Sequence, residues 1–64
     1  MPILKVEWAA GRSDELKKKI ADELTDVMTQ NTGCSKEAII VIFEDIAREN
    51  LLIGKEYIQL PPQN

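Results

Sequence analysis

Few residues of this chain can do acid–base or nucleophilic chemistry near neutral pH. Its 64 residues include no histidine and one cysteine, Cys34. Pro2 directly follows Met1. If the methionine is removed, Pro2 carries a free secondary amine, a titratable base at the end of a rigid element. An α-amine has an ordinary pKa of about 7.7–8.0. Burial and nearby cations lower that value, and a general base works best when its pKa lies near the ambient pH. With Met1 attached, the same nitrogen is an amide and is no longer basic. The plainer account of Pro2 is the first residue of a strand, where a missing amide hydrogen is tolerated. Cys34 has no histidine beside it and reads as a small, buried or half-buried residue, with a reactive thiol as the lesser alternative. Arg12 stands just before a helix start, where a cation faces the positive end of the helix dipole. That small cost favours a functional reason for its presence over a surface charge.

These groups need elements to hold them. Residues 3–8 alternate around Lys5 and Glu7, which puts Leu4, Val6 and Trp8 on one face of a strand. Ser13 is a good helix N-cap, and Asp14 and Glu15 suit the positive end of the helix that follows. Leu16, Ile20, Leu24, Val27 and Met28 recur at helical spacing, and Gly33 is a natural stop. Lys17, Lys18 and Lys19 read as part of a solvated face, with Glu15 and Lys19 placed to pair one turn apart. "AIIVIF" is a continuous apolar run rich in β-branched residues, the pattern of a strand covered on both sides. "ENLLIGKEY" contains a turn at Gly54 and predicts a short ribbon, and "QLPPQN" predicts an extended tail.

The order strand, helix, strand predicts an α/β chain: a single β-α-β unit with two parallel strands, a crossover helix and a short C-terminal ribbon. The length predicts a single domain over residues 1–64. A chain of this size buries only about 60% of its unfolded surface. The usual remedies are disulfides, a metal or oligomerisation. One cysteine makes no intrachain disulfide, and without histidine the metal-site chemistry is poor. One helix covers one face of the sheet, while "AIIVIF" asks for cover on both. Size and pattern therefore agree on completion by other subunits. The net charge of −3 argues against nucleic acid or an anionic membrane as partner. No apolar run approaches the ~20 residues of a membrane span, and no signal peptide precedes the strand, so the expected compartment is the cytoplasm.

"MP" at the start, the short strand, "GRSDE" opening the helix, the second apolar strand and "IGKE" near the end together resemble the tautomerase superfamily, and within it the small 4-oxalocrotonate tautomerase group. The likeness runs from Pro2 to about Tyr57. The resemblance implies a β-α-β fold assembled as a homohexamer, with Met1 removed in the mature chain. It implies that Pro2 is the general base and acid, taking a proton from one position of a small 2-keto or 2-hydroxy-enoic acid and returning it to another. It implies no cofactor and no metal. It also gives Arg12, in the "GRSDE" position, the part of binding a substrate carboxylate, often across a subunit boundary; a guanidinium grips a carboxylate with two parallel hydrogen bonds.

Two positions depart from the family pattern. Ile40 stands where well-studied members carry an arginine that polarises the substrate carbonyl, and Leu51 stands where they carry an aromatic that lines the pocket. Ile40 cannot hydrogen-bond an oxyanion, a large part of many catalyses. Arg48 is the only other arginine and reads as an exposed residue after a strand. Trp8 and Phe43 read as core packing before pocket lining. Tyr57 reads equally as an interface residue or as a hydroxyl offered to a site. Three functions stay open: a cofactor-independent tautomerase of small carboxylates; a related proline-dependent hydratase or dehalogenase of small unsaturated acids; or a non-catalytic partner in a mixed oligomer with a paralogous subunit.

Overall fold

The computed structural model of the chain describes residues 1–59. The tail expected around Pro61 and Pro62 lies outside the described residues. Strand β1 (Ile3–Ala9) is followed by helix α1 (Asp14–Thr32), strand β2 (Ile40–Ile46) and a two-stranded ribbon of β3 (Leu52–Ile53) and β4 (Glu56–Tyr57). β1 and β2 pair in parallel, with Ile3 opposite Ile40, Val6 opposite Phe43 and Ala9 opposite Ile46. β3 and β4 pair antiparallel about Gly54. The ladder runs one bond beyond each end: the Ile40 N–H donates to the Pro2 carbonyl (3.0 Å), and the Ala10 N–H to the Ile46 carbonyl (2.9 Å). Pro2 thus takes part in the sheet through its carbonyl, the backbone group a proline retains.

Local chemistry sets the limits of α1. The Ser13 hydroxyl accepts the Leu16 N–H at 3.1 Å, and Asp14 and Glu15 occupy the first turn. At the other end Gly33 takes a left-handed conformation (φ 76°), and its N–H donates to the Thr29 carbonyl. No cation stands in the last turn. Instead Thr29, Asn31 and Thr32 turn their side chains back onto the carbonyls of Asp26, Val27 and Met28. Gly11 (φ 129°) makes the turn that carries the chain from β1 towards the helix.

The second strand begins later than its apolar run. Ala38 belongs to a 3-10 turn (Lys36–Ala38), and Ile39 caps it. β2 then continues past Phe43 through Glu44 and Asp45 to Ile46. The need to turn the chain back from α1 overrides the strand preference of two apolar residues.

Burial alternates along both strands. Leu4, Val6 and Trp8 of β1 are half-buried, as are Val41 and Phe43 of β2. Leu16, Ile20, Leu24 and Met28 of α1 are half-buried too. Val27, expected on that stripe, is 53% exposed. The opposite sheet face is open. It presents Ile3 (63% exposed), Ile42 and Ile40, with Lys5 bridging Glu44 (3.1 Å) and Glu7 (3.4 Å) between them. The Glu44 carboxylate, and after it Glu7, holds the Lys5 ammonium above its ordinary pKa, and Lys5 holds Glu44 below the usual carboxylate range. The two-sided cover predicted for β2 is therefore one-sided within the described residues, where Ala9 alone is buried.

The lysine run is not wholly solvated. Lys17 reaches over to β2 and pairs with Asp45 at 2.5 Å, while Lys18 pairs with Asp22 at 3.8 Å. No Glu15–Lys19 pair forms among the described residues.

Candidate functional site

Pro2 and Ile40 meet at the N-terminal end of the parallel pair. Pro2 is half-buried, and Met1 before it is 83% exposed, so little packing depends on the methionine. The backbones of Pro2 and Ile40 are joined by the terminal ladder bond. Ile40 lies opposite Ile3, so by strand alternation its side chain points to the open face. Pro2 shares the alternate phase with Leu4, on the helix side.

Arg12 belongs to the other end. Its Nη1 donates to the Ala9 carbonyl at 2.9 Å, and its Cζ lies 4.7 Å from the centre of the Trp8 ring. That separation is a cation–π contact. Trp8 stacks on Phe43 with centroids 5.0 Å apart and planes at 24°. The indole Nε1–H donates to Asp45 Oδ1 at 2.6 Å, and Lys17 takes Asp45 Oδ2. The Lys17 ammonium first, and the Trp8 N–H second, hold the Asp45 carboxyl below the usual carboxylate range against partial desolvation. Arg12 is half-buried and keeps donors free, because a guanidinium carries five N–H groups and the Ala9 carbonyl takes one.

The residues singled out in the sequence therefore fall into two groups. β1 is 7 residues long, so its ends stand about 20 Å apart at ~3.3 Å per residue. Pro2 and Ile40 lie at the start of the parallel pair, and Arg12 follows its end. Leu51, Arg48 and Tyr57 also lie beyond the end of β2. Leu51 is half-buried, and its carbonyl accepts the Ile58 N–H at 3.2 Å. Arg48 opens a 3-10 turn and is exposed, and Tyr57 is 58% exposed. Cys34 is half-buried, with its Sγ 2.9 Å from the Thr32 hydroxyl. Among the described residues no cavity is enclosed, no cluster of three or more His, Cys, Asp or Glu is placed to hold a metal, and no helix is long and apolar enough to cross a membrane.

Asp45 and Lys17 were not candidates in the sequence, yet they complete the Arg12 end. One signal was available. A Trp N–H that is partly buried needs an acceptor, and the parallel register sets Asp45 directly opposite Trp8. That register depends on where β2 starts, which the apolar run misplaces.

Comparison with known proteins points one way. The model of the tautomerase enzyme family matches residues 2–60. A probable tautomerase of Staphylococcus epidermidis is 39% identical over 54 residues, 84% of this chain and 88% of that protein. A probable tautomerase of Ralstonia nicotianae is 41% identical over 46 residues, 72% of this chain and 71% of that protein. Among solved structures, a 4-oxalocrotonate tautomerase homologue superposes with a TM-score of 0.82 at 28% identity, covering 89% of this chain and 90% of its own. A structure from work on the 4-oxalocrotonate tautomerase isozymes of Methylibium petroleiphilum gives a TM-score of 0.74 at 30% identity, covering 83% and 86%.

The depressed Asp45 pKa has a measurable consequence. A carboxyl whose folded pKa lies below its unfolded value stabilises the fold above the ordinary carboxylate pKa, and loses that contribution as pH falls through the folded value. The stability difference between the wild type and Asp45→Asn should be constant above about pH 5 and shrink as pH falls below about 4. Urea unfolding across this range, at one protein concentration, checks it; a difference independent of pH would exclude the charged bridge.

Proposed function

The chain belongs to the tautomerase family, and from that premise we propose that it moves a proton within small 2-keto or 2-hydroxy-enoic acids, with Pro2 as the base. Removal of Met1 frees the secondary amine. The neutral amine takes the proton of the enol hydroxyl, whose O–H electrons form the new carbonyl. The former double-bond electrons then take the proton back from the prolinium at carbon. Neither step calls for a cofactor or a metal.

The observation that carries this reading is the position of Pro2 within a family match that begins at residue 2. Its carbonyl is tied to Ile40 by the last bond of the ladder, which holds the nitrogen at the end of a rigid strand. A base fixed in this way loses little freedom when substrate arrives.

Arg12 is the proposed carboxylate anchor. A molecule of this class is far shorter than the ~20 Å between the two ends of β1. The arginine that serves one Pro2 must then come from another copy of the chain. The open face bearing Ile3, Ile40 and Ile42 supports the same conclusion, since burying exposed apolar surface drives association. The proposed assembly is a homohexamer in the cytoplasm, with the site shared between copies.

Ile40 and Leu51 shape the chemistry. Neither supplies a donor to a developing oxyanion, so the substrate of this chain has one carboxylate to be gripped and an otherwise apolar body. The same departures favour a second reading: a hydratase or dehalogenase of small unsaturated acids, or a non-catalytic subunit whose paralogous partner supplies the missing arginine. Halide release from haloacrylates marks the dehalogenase, and absence of turnover by the Met-free chain alone marks the partner subunit.

Sedimentation at micromolar concentration should show an oligomer; a folded monomer would contradict the shared site. Activity of the Met-free protein on the enol of phenylpyruvate should fall as pH drops through the amine pKa. Acetylating the terminus or retaining Met1 should abolish it in correctly assembled protein, and equal turnover by the blocked form would rule out the amine as base. Arg12→Ala should raise KM by about tenfold or more with a smaller change in kcat, the mark of lost uniform binding. Unchanged kinetics would return Arg12 to a surface charge.

A further inference from the structure

Trp8 is held at both its face and its edge. Phe43 stacks on the ring, and the Asp45 carboxylate accepts the Nε1–H at 2.6 Å. Arg12 stands over the same ring at 4.7 Å, with one N–H fixed on the Ala9 carbonyl. An unrestrained arginine loses rotamer freedom when it grips a ligand, and ordering it beforehand removes that loss from binding. Tryptophan is the aromatic that holds a cation best.

The charges around it matter as much. Asp45 is the carboxylate placed to capture Arg12, yet its two oxygens are taken by Trp8 and Lys17. Among the described residues Arg12 has no carboxylate within ion-pair distance. Lys17 thus neutralises Asp45 and leaves the guanidinium charge for a ligand. The next turn of the helix carries no second claimant: Asp14 and Glu15 are exposed and pair with neither Arg12 nor Lys17.

We infer that Trp8 and Asp45 are positioning residues for Arg12: the indole face presents the guanidinium to the substrate carboxylate, and Asp45, held by Lys17, keeps the indole from turning away. The inference rests on Arg12 as the carboxylate anchor and adds the parts that hold it ready.

The test is a double-mutant cycle on assembled, Met-free protein with the enol of phenylpyruvate. Trp8→Leu should raise KM about fivefold, with kcat within about twofold of wild type. Trp8→Phe keeps a ring face and loses the N–H, so it should raise KM by only about twofold. In an Arg12→Ala background, Trp8→Leu should add almost nothing, because residues acting through one contact are not additive. A Trp8→Leu effect of the same size with and without Arg12 would reduce Trp8 to ordinary packing and overturn the inference, as would wild-type kinetics in Trp8→Leu. If Arg12→Ala alone leaves KM unchanged, the anchor reading fails instead, whatever Trp8 does. Should Trp8→Leu not assemble, the same cycle is read on Trp8→Phe and Asp45→Asn, with the same criteria.

Discussion

The structure depends on one constraint: two strands and one helix cannot close a core. A crossover helix covers one face of a parallel pair, and no second layer stands on the other face among the described residues. Ala9, at 8% exposure, is accordingly the one buried residue among those described. Everything else in the apolar set is half-buried or open. The apolar surface is thereby pushed outward, and the assembly proposed above is what would cover it.

The same constraint divides the proposed site. A parallel pair carries its chain starts at one end and its chain ends at the other. Pro2 sits with the starts, and Arg12 with the ends. No rearrangement of side chains closes a gap of about seven strand residues. At the Arg12 end a linked set of groups, the Ala9 carbonyl with the side chains of Arg12, Trp8, Asp45 and Lys17, connects β1, β2 and α1. This set is also where the two strands and the helix are tied together by side chains, so the geometry that orders the arginine is part of what fixes α1 over the sheet.

Much of this was legible in the sequence, for physical reasons that differ by element. β1 and α1 were readable because alternation, an N-cap serine and a stop glycine each act within a few residues. Ser13 and Gly33 do what their types predict. The family itself was readable from "MP", "GRSDE" and "IGKE" taken together, and the parts proposed for Pro2, Arg12, Ile40 and Leu51 follow from that pattern. Three features were not. β2 starts at Ile40 because the turn from α1 consumes Ala38 and Ile39, a tertiary demand that apolar periodicity does not encode. Lys17 sits in a run of three lysines that look alike, and only the lie of α1 across β2 singles it out. Val27 fits the helical stripe by spacing but lies beyond the reach of a two-stranded sheet.

A sheet of two strands has no interior strand. β1 and β2 each keep one outer edge without a ladder partner among the described residues. Such edges are templates for any extended chain that comes near. In the assembly proposed above, a newly made copy is in a race: it meets its own kind, or it is caught by another chain, a chaperone or a protease. For such an assembly, yield would depend on how quickly the chain is made as well as on how well it folds, because slow synthesis prolongs the time each copy spends alone.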